Sequence, residues 1–210
     1  MCTLYLVRHG ATIPNLQKPP VLQGCGIDSD LSDVGRSEAE CVADALAGQP
    51  IAAFYSSRLM RARQTAAIIA APHSETARHP EVRTLDDVHE ISAGDWEGRT
   101  WPDVMAEDRD RYLEWAGAAG EAAFPGGESY VDVALRSLPP LLDTARRHDR
   151  QAIVVVAHRV VNRAVIGQLL GLDCRRWKDI PQDNAAINVL RLKDDRLQVV
   201  TLNAVEHLRG

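Results

Sequence analysis

Residues 6–12 read Leu-Val-Arg-His-Gly-Ala-Thr, and an apolar run from Leu4 to Val7 ends abruptly in Arg8 and His9. The pattern recurs twice. The stretch Ile51–Tyr55 ends in Ser56-Ser57, with Arg61 close behind, and Ile153–Ala157 ends in His158-Arg159. Singly, each of these is an ordinary polar residue; their repeated placement at the ends of apolar runs is the informative feature. In open α/β sheets ligands bind beyond the carboxyl ends of the strands, so two histidines and several arginines are expected to converge on one pocket. Arginine presents a planar fork of donors suited to phosphate oxygens and keeps its charge at any working pH. Helices that come after the strands add amide donors and positive dipole ends. The chemistry expected there is the binding of a dianion such as phosphate beside an imidazole.

The elements that must hold these residues are readable from periodicity. Strands are expected over 3–7, 51–57 and 152–158. The last has an unbroken apolar run with three consecutive valines, as when both faces of a strand are covered. Two more are expected at 186–192 and 197–205, joined through Asp194-Asp195, and a short strand and turn within 84–98. Ala39, Val42, Ala43 and Leu46 repeat at helical spacing behind a Ser32 N-cap. Further helices are expected at 59–71, 101–118, from near Glu128 to Arg147 with a kink at Pro139-Pro140, and at 160–171. Residues 13–31, rich in Pro, Gly, Asn and Asp, read as a loop. Strands alternating with helices give an α/β three-layer sandwich around a mainly parallel sheet. The whole chain, 1–210, reads as a single domain, with a lid or insertion expected around 99–127.

Several blocks, in order along nearly the whole chain, resemble the histidine phosphatase superfamily in its phosphoglycerate-mutase-like branch. They are "LVRHGAT" with Asn15, "QG" at 23–24, "YSSRLMRARQTA", "HEISAGDWEG", "PGGES" with Arg136 downstream, and "VVVAH". The resemblance implies roles. His9 is the nucleophile that takes the phosphoryl group as a phosphohistidine. Arg8, Arg61 and His158 hold the phosphate oxygens, with Asn15 and Gln23 as secondary ligands. Glu90 protonates the leaving oxygen and then activates water. Gly10 lets the backbone turn and pass close to the phosphate. Glu97 and Asp95, near Glu90, are assigned to a structural turn around Trp96, and Ser56-Ser57 lack the surroundings of a nucleophilic serine. Trp101, Trp115 and Phe124 fit either core or a lid.

The chain also departs from the family pattern. Val21 stands where an arginine is common, and Arg159 stands where the residue after the second histidine is normally Gly. Arg159 is therefore expected to meet a second anionic group of the substrate and to set specificity.

Composition narrows the rest. A net charge of −5 argues against a nucleic-acid binder. Cys2, Cys25, Cys41 and Cys174 are scattered, so reduced thiols and a cytoplasmic location are expected, without a metal or other cofactor. No signal peptide or membrane span is read from the sequence. The leading expectation is a metal-independent phosphomonoesterase acting on a small phosphorylated metabolite, with a homodimer left open. The alternatives are a phosphoglycerate mutase, for which the segment 98–125 looks short, and a catalytically inactive phospholigand-binding protein.

Overall fold

The computed structural model describes residues 1–73, 81–118 and 120–209. Strands β1 (Thr3–Arg8), β2 (Ile51–Ser56), β3 (Val82–Thr84), β4 (Ala152–Ala157), β5 (Ile187–Lys193) and β6 (Arg196–Ala204) form one six-stranded sheet in the order β3-β2-β4-β1-β5-β6. The first four in that order run parallel, and β5 and β6 join antiparallel. Among the described residues seven α-helices accompany them: α1 (Ile13–Leu16), α2 (Asp33–Leu46), α3 (Met60–Ala70), α4 (Trp101–Glu107), α5 (Arg109–Gly117), α6 (Tyr130–Arg147) and α7 (Arg159–Leu169).

The apolar run of β4 divides by the two-residue period of a strand. Ile153, Val155 and Ala157 pack with Leu4, Leu6 and residues of α6 and α7, among them Val133, Leu141 and Val165. Val154 and Val156 pack with Val7 against Val42 and Leu46 of α2 and Ala62, Ala66 and Ile69 of α3. The sheet is thus covered on both faces, which makes the expected three layers. Among the described residues no helix is long and apolar enough to cross a membrane.

The local signals act much as anticipated. The Ser32 hydroxyl accepts from the Gly35 amide at 3.0 Å and starts α2. The helix expected from near Glu128 starts at Tyr130, behind a capping box of Ser129 and Asp132 that was not singled out from the sequence. Asp194 and Asp195 adopt φ of 49° and 60°, the left-handed pair of a tight hairpin between β5 and β6.

Three features differ from expectation. A short helix, α1, occupies part of the loop 13–31, with Pro14 in its first turn. The short middle strand lies earlier, at Val82–Thr84, where it pairs with Phe54–Ser56; 3-10 turns come after it in place of further strand. The helix expected over 101–118 breaks at Asp108, where φ is −138° and ψ 43°. The Asp108 carboxylate accepts the buried Trp96 indole N–H at 2.7 Å, a partner that a fully buried tryptophan requires. Helix α6 runs from Tyr130 to Arg147, close to the expected span, with Pro139 and Pro140 inside it. Leu135, whose carbonyl Pro139 leaves without its helical donor, is 63 % exposed, so water can satisfy it.

In the order β2-β4-β1, the strands that carry the chemistry are neighbours, with Arg8 level with Ala157 and Ser56 with Val156. A single contact fixes the turn after β1. A Cβ on Gly10 would stand 2.2 Å from the Gly35 carbonyl oxygen, and one on Gly35 would stand 2.0 Å from that of Ala11. Gly10 therefore serves the close approach of the first turn of α2, a packing requirement that its neighbours in sequence do not announce. Gly35→Ala is expected to destabilise the fold by at least ~1–3 kcal/mol, the usual cost of overpacking. Gly48→Ala, with no atom within 4 Å of the added carbon, should change stability by less than about 1 kcal/mol. Urea unfolding of the two variants checks the contrast.

Candidate active site

A cavity of about 170 Å³ opens beyond the ends of these strands. Seven of the residues singled out from sequence line it: Arg8, His9, Asn15, Gln23, Arg61, Glu90 and Arg159. The eighth, His158, is fully buried beside His9, with their ring centroids 5.1 Å apart. Val21 also lines the cavity, and it bridges to Thr100.

His9 is held by its backbone and its ring. Its amide donates to the Ala157 carbonyl at 3.1 Å, and its carbonyl accepts from Ala185 N at 3.2 Å and Asn184 Nδ2 at 3.1 Å. Nδ1 lies 2.7 Å from the Gly10 carbonyl oxygen. A carbonyl only accepts, so Nδ1 carries the ring proton and Nε2 keeps a free lone pair. Burial first, then the Arg61 and Arg8 cations, push the imidazole well below its ordinary pKa. Burial and Arg61 do the same to His158. The Ser57 hydroxyl lies 2.6 Å from His158 Nε2 and also accepts from the Leu59 amide at 3.3 Å. With Ser57 donating to Nε2, His158 Nδ1 carries the proton.

The arginines are tied by peptide carbonyls. Arg8 Nη1 donates to Gln182 O at 2.7 Å, and Arg61 donates from Nη1 to Ile27 O and from Nη2 to Gly24 O, both at 2.8 Å. Burial first, then Arg159, lower Arg8 to about 9, which leaves it cationic at neutral pH. Among the described residues, Arg8 Nε, Arg61 Nε and His158 Nδ1 are buried without a hydrogen-bond partner. Unmet buried polar atoms are costly and few in folded proteins. Arg8 and Arg61 at the cavity, with His158 beside His9, gather positive charge and N–H donors of the kind that suits an anion.

Glu90 enters from the loop after β3. Its Oε1 accepts from Ile91 N at 3.0 Å and from Val160 N, at the start of α7, at 3.2 Å. Arg136 clamps that loop, donating to the carbonyls of Asp87 at 2.7 Å and Glu90 at 3.2 Å. Arg136 also pairs with Glu128, which accepts from the Ser92 amide at 2.9 Å. The "PGGES" block and Arg136 thus position Glu90. Glu97 points elsewhere: its carboxylate accepts from the amides of Cys25, Gly26 and Ala93 and holds loop 22–26 in place. Asp95 pairs with Arg111 at the surface. Gln23 accepts from the Thr12 hydroxyl at 2.9 Å and Asn15 from the Thr12 amide at 3.1 Å, so Thr12 orients both. Trp101 and Phe124 line the cavity from a cluster with Trp96, Trp115 and Tyr112.

Two lining residues with polar side chains escaped the sequence reading, Tyr130 and Arg163. Arg163 lies four residues beyond Arg159, the spacing of neighbours on one helix face, and that spacing was the available signal.

The family model described as the histidine phosphatase superfamily (branch 1) matches residues 4–205. The chain belongs to the histidine phosphatase superfamily. Its relatives include enzymes named for the hydrolysis of phosphate esters. Phosphoserine phosphatase 1 of Hydrogenobacter thermophilus is 34 % identical over 209 residues, covering 99 % of this chain and 95 % of that protein. The metal-independent phosphoserine phosphatase of Arabidopsis thaliana is 32 % identical over 217 residues, covering 98 % and 82 %. Among solved structures, a mutant phosphoserine phosphatase of Entamoeba histolytica in complex with phosphoserine superposes with a TM-score of 0.84 at 27 % identity, over 99 % of this chain and 100 % of that one. The expectation of a histidine phosphatase built on a phosphoglycerate-mutase-like sandwich therefore holds.

The two buried imidazoles make stability depend on pH. In the unfolded chain each titrates near 6.5, whereas in this histidine phosphatase both pKa values are depressed. Below that value the unfolded chain binds protons that the folded one refuses. Stability is therefore complete above it and is lost as pH falls, by up to ~1.4 kcal/mol per pH unit for each histidine. Urea unfolding between about pH 7 and 5 should show this slope, above the range where carboxylates titrate, and His158→Gln should make it shallower. An unchanged slope would contradict the assignment.

Proposed function

We propose that this protein is a metal-independent phosphomonoesterase working through a phosphohistidine on His9. The observation that carries the reading is the Nδ1 bond of His9 to the Gly10 carbonyl, which leaves Nε2 unprotonated in a cavity lined by Arg8 and Arg61. Nε2 attacks phosphorus, the P–N bond forms, and the P–O bond to the leaving group breaks. Glu90 gives its proton to the departing oxygen. Water then attacks the phosphohistidine, Glu90 takes a proton back, and phosphate leaves with His9 neutral again. Arg8, Arg61 and His158 hold the phosphoryl oxygens and meet the charge that builds on them, with Asn15 and Gln23 as secondary contacts.

The names of the relatives support hydrolysis over mutase transfer, and phosphoserine, which the three reported above are named for, is one ester of the class. Retention of His9, Glu90 and both arginines at one cavity speaks against an inactive binding protein. The segment 99–127 is proposed as the cover of the site, on the ground that Trp101 and Phe124 reach the cavity from it. A cytoplasmic location is proposed from the four free thiols.

Two experiments test the mechanism. His9→Ala should abolish turnover, and acid-labile phosphate should be recovered from the rapidly quenched wild type but not from the variant. Undiminished activity in His9→Ala would refute the mechanism. Glu90→Gln should slow alkyl phosphates by about 10²–10⁴-fold, the usual worth of a positioned acid, and aryl phosphates far less, because a phenolate leaves with little help. Equal slowing of both classes would move the proton donor elsewhere.

A further inference from the structure

The cavity holds more positive charge than a phosphate ester needs. Its charged lining consists of Arg8, Arg61, Arg159 and Arg163 against the single carboxylate of Glu90. A phosphate dianion together with ionised Glu90 leaves at least one cation over. Arg8 and Arg61, buried beside the two histidines, are the pair placed for phosphate. The surplus lies on α7, where Arg159 and Arg163 stand one helical turn apart on the cavity wall.

Neither of these two is used up within the protein. Among the described residues, the ion pairs formed by arginine include neither Arg159 nor Arg163. Arg163 is steered by its Nε, which donates to the Ile180 carbonyl at 2.8 Å. Arg159 lines the cavity while part of its surface stays open to solvent at the rim. Desolvation first, then the neighbouring Arg163 cation, lower the Arg159 pKa. Like charges kept side by side in this way are relieved by an anion lying between them. Tyr130, at the start of α6, brings a hydroxyl to the same cavity.

We propose that Arg159 and Arg163, with Tyr130, form a second anion subsite that accepts a carboxylate on the alcohol side of the phosphate ester. The inference rests on the phosphatase reading of the site and narrows its substrate class to phosphorylated hydroxy acids. A carboxylate matches the surplus in sign, and its two oxygens match the guanidinium fork. Val160, between the two arginines, binds Glu90 through its amide, so α7 holds the proton donor and the carboxylate subsite on one element. The leaving oxygen would then lie between the phosphate floor and that wall.

The test uses binding as well as turnover. In the His9→Ala protein, which cannot form the phosphoenzyme, calorimetry compares phosphoglycolate with ethyl phosphate, which lacks the carboxylate. Phosphoglycolate is expected to bind roughly 10- to 100-fold more tightly, the worth of a charge-assisted contact. Arg159→Met and Arg163→Met should each bring that ratio towards one, and Arg159→Lys should recover part of it. Equal affinities for the two ligands, or a ratio that neither methionine variant moves, would overturn the subsite. The wild type is assayed on both esters in parallel. Turnover of both with no preference would strike the subsite alone, whereas binding with the expected ratio but no turnover of either would strike the phosphatase reading and leave the subsite standing.

Discussion

Arg8 and Arg61 are buried to 3 % and 1 % exposure, and among the described residues neither takes part in an ion pair with a carboxylate. Taking a guanidinium out of water without a counter-charge is expensive. Peptide carbonyls offset part of that cost: Gln182 for Arg8, and Gly24 and Ile27 for Arg61. The loops that supply them must then keep one shape. Glu97 locks loop 22–26 by accepting its amides, and residues 182–185 are pinned to the His9 carbonyl through Asn184 and Ala185. The Nε atoms of both are left without a partner, so the carbonyls offset only part of the cost.

The same two cations decide the state of the histidines. Had His9 or His158 been protonated, the cavity would have gathered a third or fourth buried positive charge. Burial and the arginines together hold both rings neutral, and a neutral imidazole is required of a nucleophile. One electrostatic arrangement thus creates the affinity for a dianion and the reactivity of the group that would attack it. The tie of Nδ1 to Gly10 adds the geometric part, since it fixes which nitrogen keeps its lone pair.

Helix α7 joins these features. His158 caps it, Arg159 and Arg163 face the cavity, and the Val160 amide receives Glu90. Glu90 reaches that amide only because Arg136 and Glu128 fold the loop around it. A residue of α6 and one of the turn before it therefore position a carboxylate that belongs to neither element.

Much of this was open to reading in one dimension. Consecutive valines in β4 announce a strand covered on both faces, because a two-residue period sends alternate side chains to opposite layers. Ser32, Ser129 and the Asp194-Asp195 pair mark helix starts and a hairpin, because those conformations depend on near neighbours. Arg8, His9, Arg61 and His158 stand out because polar residues at the ends of apolar runs are expected at a binding edge. Other features depend on contacts across the chain. The break at Asp108 answers the indole of Trp96, twelve residues away. The need for glycine at 10 comes from Gly35 on another element. The work of Arg136, the orientation of His158 by Ser57, and the meeting of Arg163 with Tyr130 at one cavity exist only once the sheet brings its strands together. The sequence by itself determined the elements and the chemical types at their ends, since periodicity and capping are local. Only the tertiary structure decided which donors stay unmet, which nitrogen stays free and where the surplus charge lies, because burial and electrostatics are properties of the packed whole.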